Sequence, residues 1–432
     1  MGFILKLTLQ WMSEEMARII KAFVGWLPDM DILFNEDDEC RLVIPWAEKQ
    51  ALYEAEEKTR NTPPPDGKYT NWYPEMKWPG TDPPGPYPKC PPKYTPLNER
   101  ALDSVKTEET DFTDLSFNPI WDFTLEGCPP DSLAHTPLLS GSHLHTASMA
   151  KHTLPSPLRS ARYILNYTEA GNVCNQPDLR FATGFFMAPA AFKGTHLPIP
   201  IFSQSRVEPY NDILAPSPWY HSGRARYEDD KDFIWKDRQD TFFWRGATTN
   251  GMSVNGGWIF HLRERFIRAA KMLRGNVDVG FTAIERCRGN DCDAEGAAFP
   301  LKENVQFEEF FKYKYLPDVD GSAMSGRWIA FLKSRGLPFK LALFREWFDS
   351  RLVAWRHFVP LDLRLRERDF KGTVDWFMDE SNERLARKVA NWGREWGLVS
   401  LRDVDAEIYF FRLLLEYARV MNDERDHLGY VI

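Results

Sequence analysis

From about residue 181 the chain alternates short apolar runs with helical stripes, and this rhythm constrains the fold more than any other feature. Ile199-Pro-Ile-Phe-Ser203 reads as a strand end and Phe242-Phe-Trp244 as a second strand. A helix is expected from Trp258 to Leu273, with Leu262, Phe266, Ala269 and Leu273 on its apolar face and Arg263, Glu264, Arg268 and Lys271 elsewhere. Val277, Val279 and Phe281 alternate as a strand, and Lys312–Asp320 reads as another. A helix then runs from Trp328 to Lys333, a strand from Phe339 to Phe344, and a helix starts at Trp347. Near the end Val404, Ile408, Phe411, Leu415 and Ala418 form a stripe read as core. Strands separated by helices need crossover connections, which give parallel sheets with helices on their faces.

The first half is less regular. Residues 13–27 carry a helical pattern through Met16, Ile19, Ile20 and Phe23, and Asp31-Ile-Leu-Phe-Asn35 is a strand-like run that stops in Glu36-Asp37-Asp38-Glu39. Carboxylates at the end of a strand sit where open α/β sheets bind ligands. Residues 61–96 hold 12 of the 31 prolines and read as an irregular excursion, and residues 131–160 as loop. His135, His143, His145 and His152 lie in that loop and read as solvated rather than metal-bound. Pro209, Pro216 and Pro218 break the chain between 205 and 240. This suggests two α/β lobes facing a cleft: residues 1–215, with 61–160 largely irregular and proline-rich, and residues 216–432.

The 432 residues carry 62 acidic and 54 basic side chains, a formal charge of −8, which disfavours a globally basic nucleic-acid binder. Sixteen tryptophans suit an aromatic core or a sugar-stacking surface. No window approaches the roughly 20 apolar residues of a membrane helix, and the N-terminus makes a poor signal peptide. Cys287-Arg-Gly-Asn-Asp-Cys292 is compatible with a local disulfide, and Asn166-Tyr-Thr168 is an N-glycosylation sequon. Together they lean toward an oxidising secretory lumen.

Two loops are suited to a phosphate. Trp244-Arg-Gly-Ala-Thr-Thr-Asn-Gly251 combines glycines that let the backbone approach, the hydroxyls of Thr248 and Thr249, and the guanidinium of Arg245. Gly321-Ser-Ala-Met-Ser-Gly-Arg327 lies between a strand and a helix start, with Ser325 and Arg327 near the first turn. Asp318-Val-Asp320 is either a divalent-metal ligand pair bridging a diphosphate or two turn-capping carboxylates.

Four blocks, Phe243-Trp-Arg-Gly-Ala-Thr-Thr-Asn-Gly251, Lys314-Tyr-Leu-Pro-Asp-Val-Asp-Gly-Ser-Ala-Met-Ser-Gly-Arg327, Phe344-Arg-Glu-Trp-Phe348 and Trp355-Arg-His-Phe-Val-Pro360, resemble glycosyltransferase family 90, the capsule-associated-protein-10-like enzymes. Cys128-Pro-Pro-Asp-Ser132, Phe202-Ser-Gln-Ser205 and Asn211-Asp-Ile-Leu214 look like its fungal branch. The resemblance implies a GT-B-like fold of two Rossmann-like lobes and inverting transfer of a sugar, xylose first and glucose second, from a UDP-sugar to a hydroxyl of a glycan or protein. It implies donor binding by Arg245, Gly246, Thr248, Gly321, Ser325, Arg327 and Glu346, the last at a ribose. It implies a catalytic base at Asp38, within Asn35-Glu-Asp-Asp38-Glu-Cys40, with Asp37 as rival. Cys40 stands where the family pattern has proline. With arginines supplying the charge, no cofactor is required and a metal at Asp318 and Asp320 is not expected. Members are often membrane-anchored in the Golgi or endoplasmic reticulum. The alternative is an inactive relative that binds nucleotide sugar or glycan.

Overall fold

The computed structural model describes residues 10–60, 112–136, 153–155, 162–422 and 425. The proline-rich stretch, His143, His145 and His152 lie outside them.

The first parallel sheet has three short strands, β1 (Leu33–Phe34), β2 (Ile201–Ser203) and β3 (Ile213–Leu214), in that spatial order. The second has β4 (Gln239–Ala247), β5 (Asn276–Ala283), β6 (Tyr313–Val319), β7 (Leu337–Leu341) and β8 (Val359–Pro360). Its order is β8-β7-β6-β4-β5 and every pairing is parallel. The apolar runs are continuous rather than alternating because both faces are covered: Phe242 and Trp244 enter one aromatic cluster while Phe243 enters another with Phe310 and Phe331. From β4 the chain moves to β5 on one side and to β6, β7 and β8 on the other. The crevice between the carboxyl ends of β4 and β6 is therefore the topological switch point, where sheets of this kind bind ligands.

Eight helices matter here: α1 (Gln10–Lys21), α2 (Trp46–Arg60), α3 (Leu262–Ala270), α4 (Asn290–Ala298), α5 (Trp328–Lys333), α6 (Glu367–Met378), α7 (Glu383–Ser400) and α8 (Asp403–Met421). In α3 Leu262, Phe266, Ala269 and Ala270 recur at helical spacing and are buried. Arg263 and Glu264, expected outside, are buried as well. The segment Gly257–Phe260 is a separate 3₁₀ turn, so the helix starts later than its periodicity predicts. At Trp347 there is no helix. Asp349 instead turns the chain there, its Oδ2 accepting from the Glu346 N–H at 3.1 Å, and Asp349–Arg351 forms one 3₁₀ turn.

The last helix returns to the first sheet. Phe410 and Leu414 of α8 pack with Ile19, Ile20 and Phe23 of α1 and with Phe202 of β2. The Tyr409 hydroxyl donates to the Leu214 carbonyl at 2.8 Å. The fully buried stripe is Ala406, Phe410, Leu414 and Ala418; of the expected residues Ala418 belongs to it and Phe411 and Leu415 pack against its edge, whereas Val404 is 44% and Ile408 59% exposed. The α1–sheet contact centres the buried face on Phe410 and Leu414, one residue before the expected Phe411 and Leu415.

Two disulfides close loops, Cys287–Cys292 and Cys128–Cys174, and Cys40 is a buried free thiol. No helix among the described residues is long and apolar enough to cross a membrane.

Candidate active site

The two phosphate-type loops, far apart in sequence, meet at the switch point, and two buried side chains fasten them. Asn250 donates from Nδ2 to the Gly321 carbonyl at 2.7 Å, while its Oδ1 accepts from the backbone N–H groups of Leu262 at 2.9 Å and Gly184 at 3.0 Å. Arg263, in the first turn of α3, donates to the carbonyls of Ala247 (2.8 Å), Asp320 (2.9 Å) and Val319 (3.2 Å) and to Thr249 Oγ1 (2.6 Å). Burial draws its guanidinium down to about 10, and it stays cationic. Ser322 Oγ adds a bond to the Thr249 carbonyl at 2.8 Å. Gly321 lets the loops close tightly: a Cβ there would stand 3.0 Å from both Arg263 Nη2 and Thr249 Oγ1.

The predicted donor-binding residues divide around this knot. Arg327 donates from Nη1 to the Arg245 carbonyl, and its guanidinium lies 5.5 Å from the Trp244 ring. Its Nη2 has no hydrogen-bond partner among the described residues. Ser325 lies beside it, Oγ at 3.5 Å from Arg327 Nε. The helix that follows, α5, is only six residues long, so Arg327 and not a helix terminus supplies the charge. Arg245 turns the other way. Its guanidinium lies over Phe243 at 4.5 Å, donates to the Trp244 and Asp278 carbonyls, and pairs with the Asp278 carboxylate at 2.7 Å. Gly246 packs against Trp244, whose ring would be 2.6 Å from an added Cβ. Thr248 Oγ1 exchanges hydrogen bonds of 2.7 Å with both the carbonyl and the N–H of Glu285, so it fastens the loop after β5.

Glu346 is 3% exposed; it accepts from the Tyr220 hydroxyl at 2.7 Å and faces Lys340 at 3.8 Å. These internal contacts occupy the carboxylate expected at a ribose. Asp320 Oδ2 accepts from the N–H groups of Leu343 (2.6 Å) and Phe344 (3.1 Å), an anchor for the turn after β7, and burial lifts its carboxyl to about 7. Asp318 is raised by burial and drawn back by the cations Lys340, Arg327 and Arg263 around it. Among the described residues no group of three or more His, Cys, Asp or Glu side chains is arranged to hold a metal.

The acidic run after β1 faces this crevice. Asp37 pairs with Arg41 four residues on, and its N–H bonds the Asn35 side chain. Asp38 points elsewhere. Its Oδ1 accepts from Gln204 Nε2 at 3.2 Å, and Gln204 Oε1 accepts from Ser217 Oγ at 2.7 Å. Its Oδ2 is 3.5 Å from Arg286 Nη2, just beyond β5 of the larger sheet. Residues 38, 204 and 217 each follow the carboxyl end of a strand in the smaller sheet. Burial raises the Asp38 carboxyl, Arg286 and Gln204 lower it, Asp37 raises it, and Arg263 lowers it further. Arg263 also acts on Arg327. The charge of this buried cation is therefore felt both at the Asp38 carboxylate and at the Arg327 guanidinium. Arg263 and Arg286 are absent from the sequence-derived set. Arg263 sits on a helix whose periodicity assigns it to solvent, and Arg286 belongs to no motif.

A family model described as glycosyl transferase family 90 matches residues 187–426. Among curated proteins, the chain is 24% identical over 255 residues to the O-glucosyltransferase rumi of Drosophila melanogaster, covering 54% of this chain and 58% of that one. It is 23% identical over 266 residues to the protein O-glucosyltransferase 1 of Rattus norvegicus, covering 57% and 64%. It is 24% identical over 303 residues to the human protein O-glucosyltransferase 3, covering 66% and 55%. The matched stretch spans little more than half the length of these relatives.

Proposed function

The chain belongs to glycosyl transferase family 90, and on that premise we propose that it is an inverting glycosyltransferase of GT-B architecture. It moves a sugar from a UDP-sugar to a hydroxyl on a protein or glycan. Residues 1–215 form the acceptor side and 216–432 the donor side, with α8 lent back to the first sheet. The relatives are named O-glucosyltransferases, which brings glucose ahead of xylose as donor sugar and a protein ahead of a glycan as acceptor.

The observation that carries the reading is that Asp38, at the carboxyl edge of one parallel sheet, stands 3.5 Å from Arg286 of the other, in a loop that Thr248 fastens to residues 245–251. A diphosphate against residues 245–251 and 321–327 meets Arg327 Nη2 and the positive charge of Arg263. The anomeric carbon then lies toward Asp38. The carboxylate takes the proton from the acceptor hydroxyl as its oxygen attacks the carbon from the face opposite the diphosphate. Charge grows on the departing UDP, and the two guanidinium groups stabilise it more in the transition state than in the ground state. Asp318 and Asp320 orient Arg327 and the loop backbone in this scheme, and no metal is needed. Two disulfides and the sequon support residence in the secretory pathway.

The test is UDP release from UDP-glucose and UDP-xylose, in EDTA, with and without folded protein and glycan acceptors. Turnover should persist in EDTA. Asp38→Asn should lower it by about 10²–10⁴-fold with UDP affinity retained. A base works only when ionised, so turnover should fall on acidification through a pH above the ordinary aspartate value of 3.8. UDP binding without turnover for every donor and acceptor would favour a non-catalytic binding protein, and full activity in Asp38→Asn would remove the assigned base.

A further inference from the structure

We propose that Arg286 is a positioning residue that holds Asp38 ionised and aimed, reaching it from the other half of the molecule. The inference rests on Asp38 being the proton acceptor.

Both oxygens of Asp38 are held, each from a different sheet: Gln204 donates to Oδ1 at 3.2 Å and Arg286 Nη2 stands 3.5 Å from Oδ2. Asp38 is the one ion-pair partner of Arg286 among the described residues. The arginine is built in rather than draped over the surface. Its backbone is left-handed, with φ 54°, a conformation that a residue with a Cβ keeps only where its surroundings over-determine it. Those surroundings are explicit. Thr248 locks the preceding residue, Glu285, through two hydrogen bonds of 2.7 Å. The Arg286 carbonyl accepts from the Ser253 N–H at 2.7 Å, and the Arg288 N–H returns to the Ser253 carbonyl at 3.1 Å. Cys287 is tied to Cys292, and Asp291, inside that ring, accepts from Ser253 Oγ and the Gly256 N–H at 2.9 Å.

Among the charged groups of the described residues that act on the Asp38 carboxyl are Asp37 and Glu39 from its own segment, Arg263 from α3 and Arg286 from the loop after β5. The two carboxyls oppose its ionisation and the two cations favour it. Arg263 spends its N–H groups on Thr249 and the carbonyls of Ala247, Val319 and Asp320. Arg286 is the cation that reaches Asp38 directly. In the transfer the acceptor O–H bond breaks, its oxygen bonds the anomeric carbon, and the bond to the diphosphate breaks with its electron pair leaving on UDP. The proton resides on Asp38, where Arg286 disfavours it. The side chains of both residues are about one-quarter to one-third exposed, so the proton passes on to water and the base is reset.

The test compares pH profiles of kcat/KM for the full chain, Arg286→Gln and Arg286→Lys, with Asp38→Asn in the same assay. Removing the cation should move the acid limb upward by about one to three pH units in Arg286→Gln, with KM for the UDP-sugar within about twofold. Arg286→Lys should restore most of the limb, because the charge rather than the shape of the guanidinium carries the effect. An unmoved limb in Arg286→Gln, or equal losses in both variants at every pH, would overturn the inference while leaving the base assignment standing. Retained turnover in Asp38→Asn would instead overturn the base assignment on which it rests.

Discussion

A guanidinium serves a diphosphate only with the N–H groups that the protein leaves unspent. Arg245 has committed Nη1 and Nη2 to Trp244 and Asp278 and leaves only a buried Nε unpaired, whereas Arg327 retains Nη2. Calorimetry with UDP should therefore show Arg327→Ala binding about 10- to 100-fold more weakly, the range for a lost charged hydrogen bond, and Arg245→Ala within about threefold of the parent. The reverse ranking would return the diphosphate to Arg245. The two loops that carry Arg245 and Arg327 were legible in the sequence as motifs, and Asn250 and Arg263 tie those loops together. Which of the two arginines is free was not. That depends on Asp278, a partner 33 residues from Arg245 whose side chain only sheet register brings alongside. Arg263 was illegible for a related reason. Helical spacing separates apolar from polar faces, and it has no means of marking a polar side chain buried because two loops need its donors.

At the scale of elements, the strand–helix alternation was readable because parallel strands buried on both faces leave continuous apolar runs. The ends were less so. The helix expected at Trp347 is replaced by a turn that Asp349 caps, and the α8 stripe is displaced because α1 and β2 choose the face. What joins the elements is concentrated in Asn250, whose amide spans the Gly184 turn, the start of α3 and the 321–327 loop. Asn250→Ala leaves three buried backbone groups unpaired at about 1–3 kcal/mol each. Urea unfolding should show a loss of at least about 3 kcal/mol in stability with an unchanged slope. A loss under about 1 kcal/mol would mean that the loops close without it.

For the whole molecule, the two disulfides fit a chain that matures in an oxidising compartment. Asn166 of the sequon is exposed and caps the short helix Tyr167–Ala170 through Oδ1, which accepts from the Glu169 N–H at 3.2 Å. Produced through a eukaryotic secretory pathway, the protein should carry one glycan there, seen as a mobility shift that glycosidase removes and Asn166→Gln abolishes. Secretion with Asn166 unmodified would weaken the compartment assignment.

The two parallel sheets are joined beyond the carboxyl ends of their strands by the Asp38–Arg286 pair and the Arg206–Arg345 bridge, and the proposed function places a carboxylate on one side and a cationic knot on the other. A crystal structure of Asp38→Asn with UDP-glucose tests this most directly. The diphosphate is predicted on residues 245–251 and 321–327 with Arg327 Nη2 in hydrogen-bond reach, and the anomeric carbon on the side of residue 38 and Gln204. A nucleotide seated away from the β4–β6 crevice, or a sugar turned from residue 38, would contradict the account.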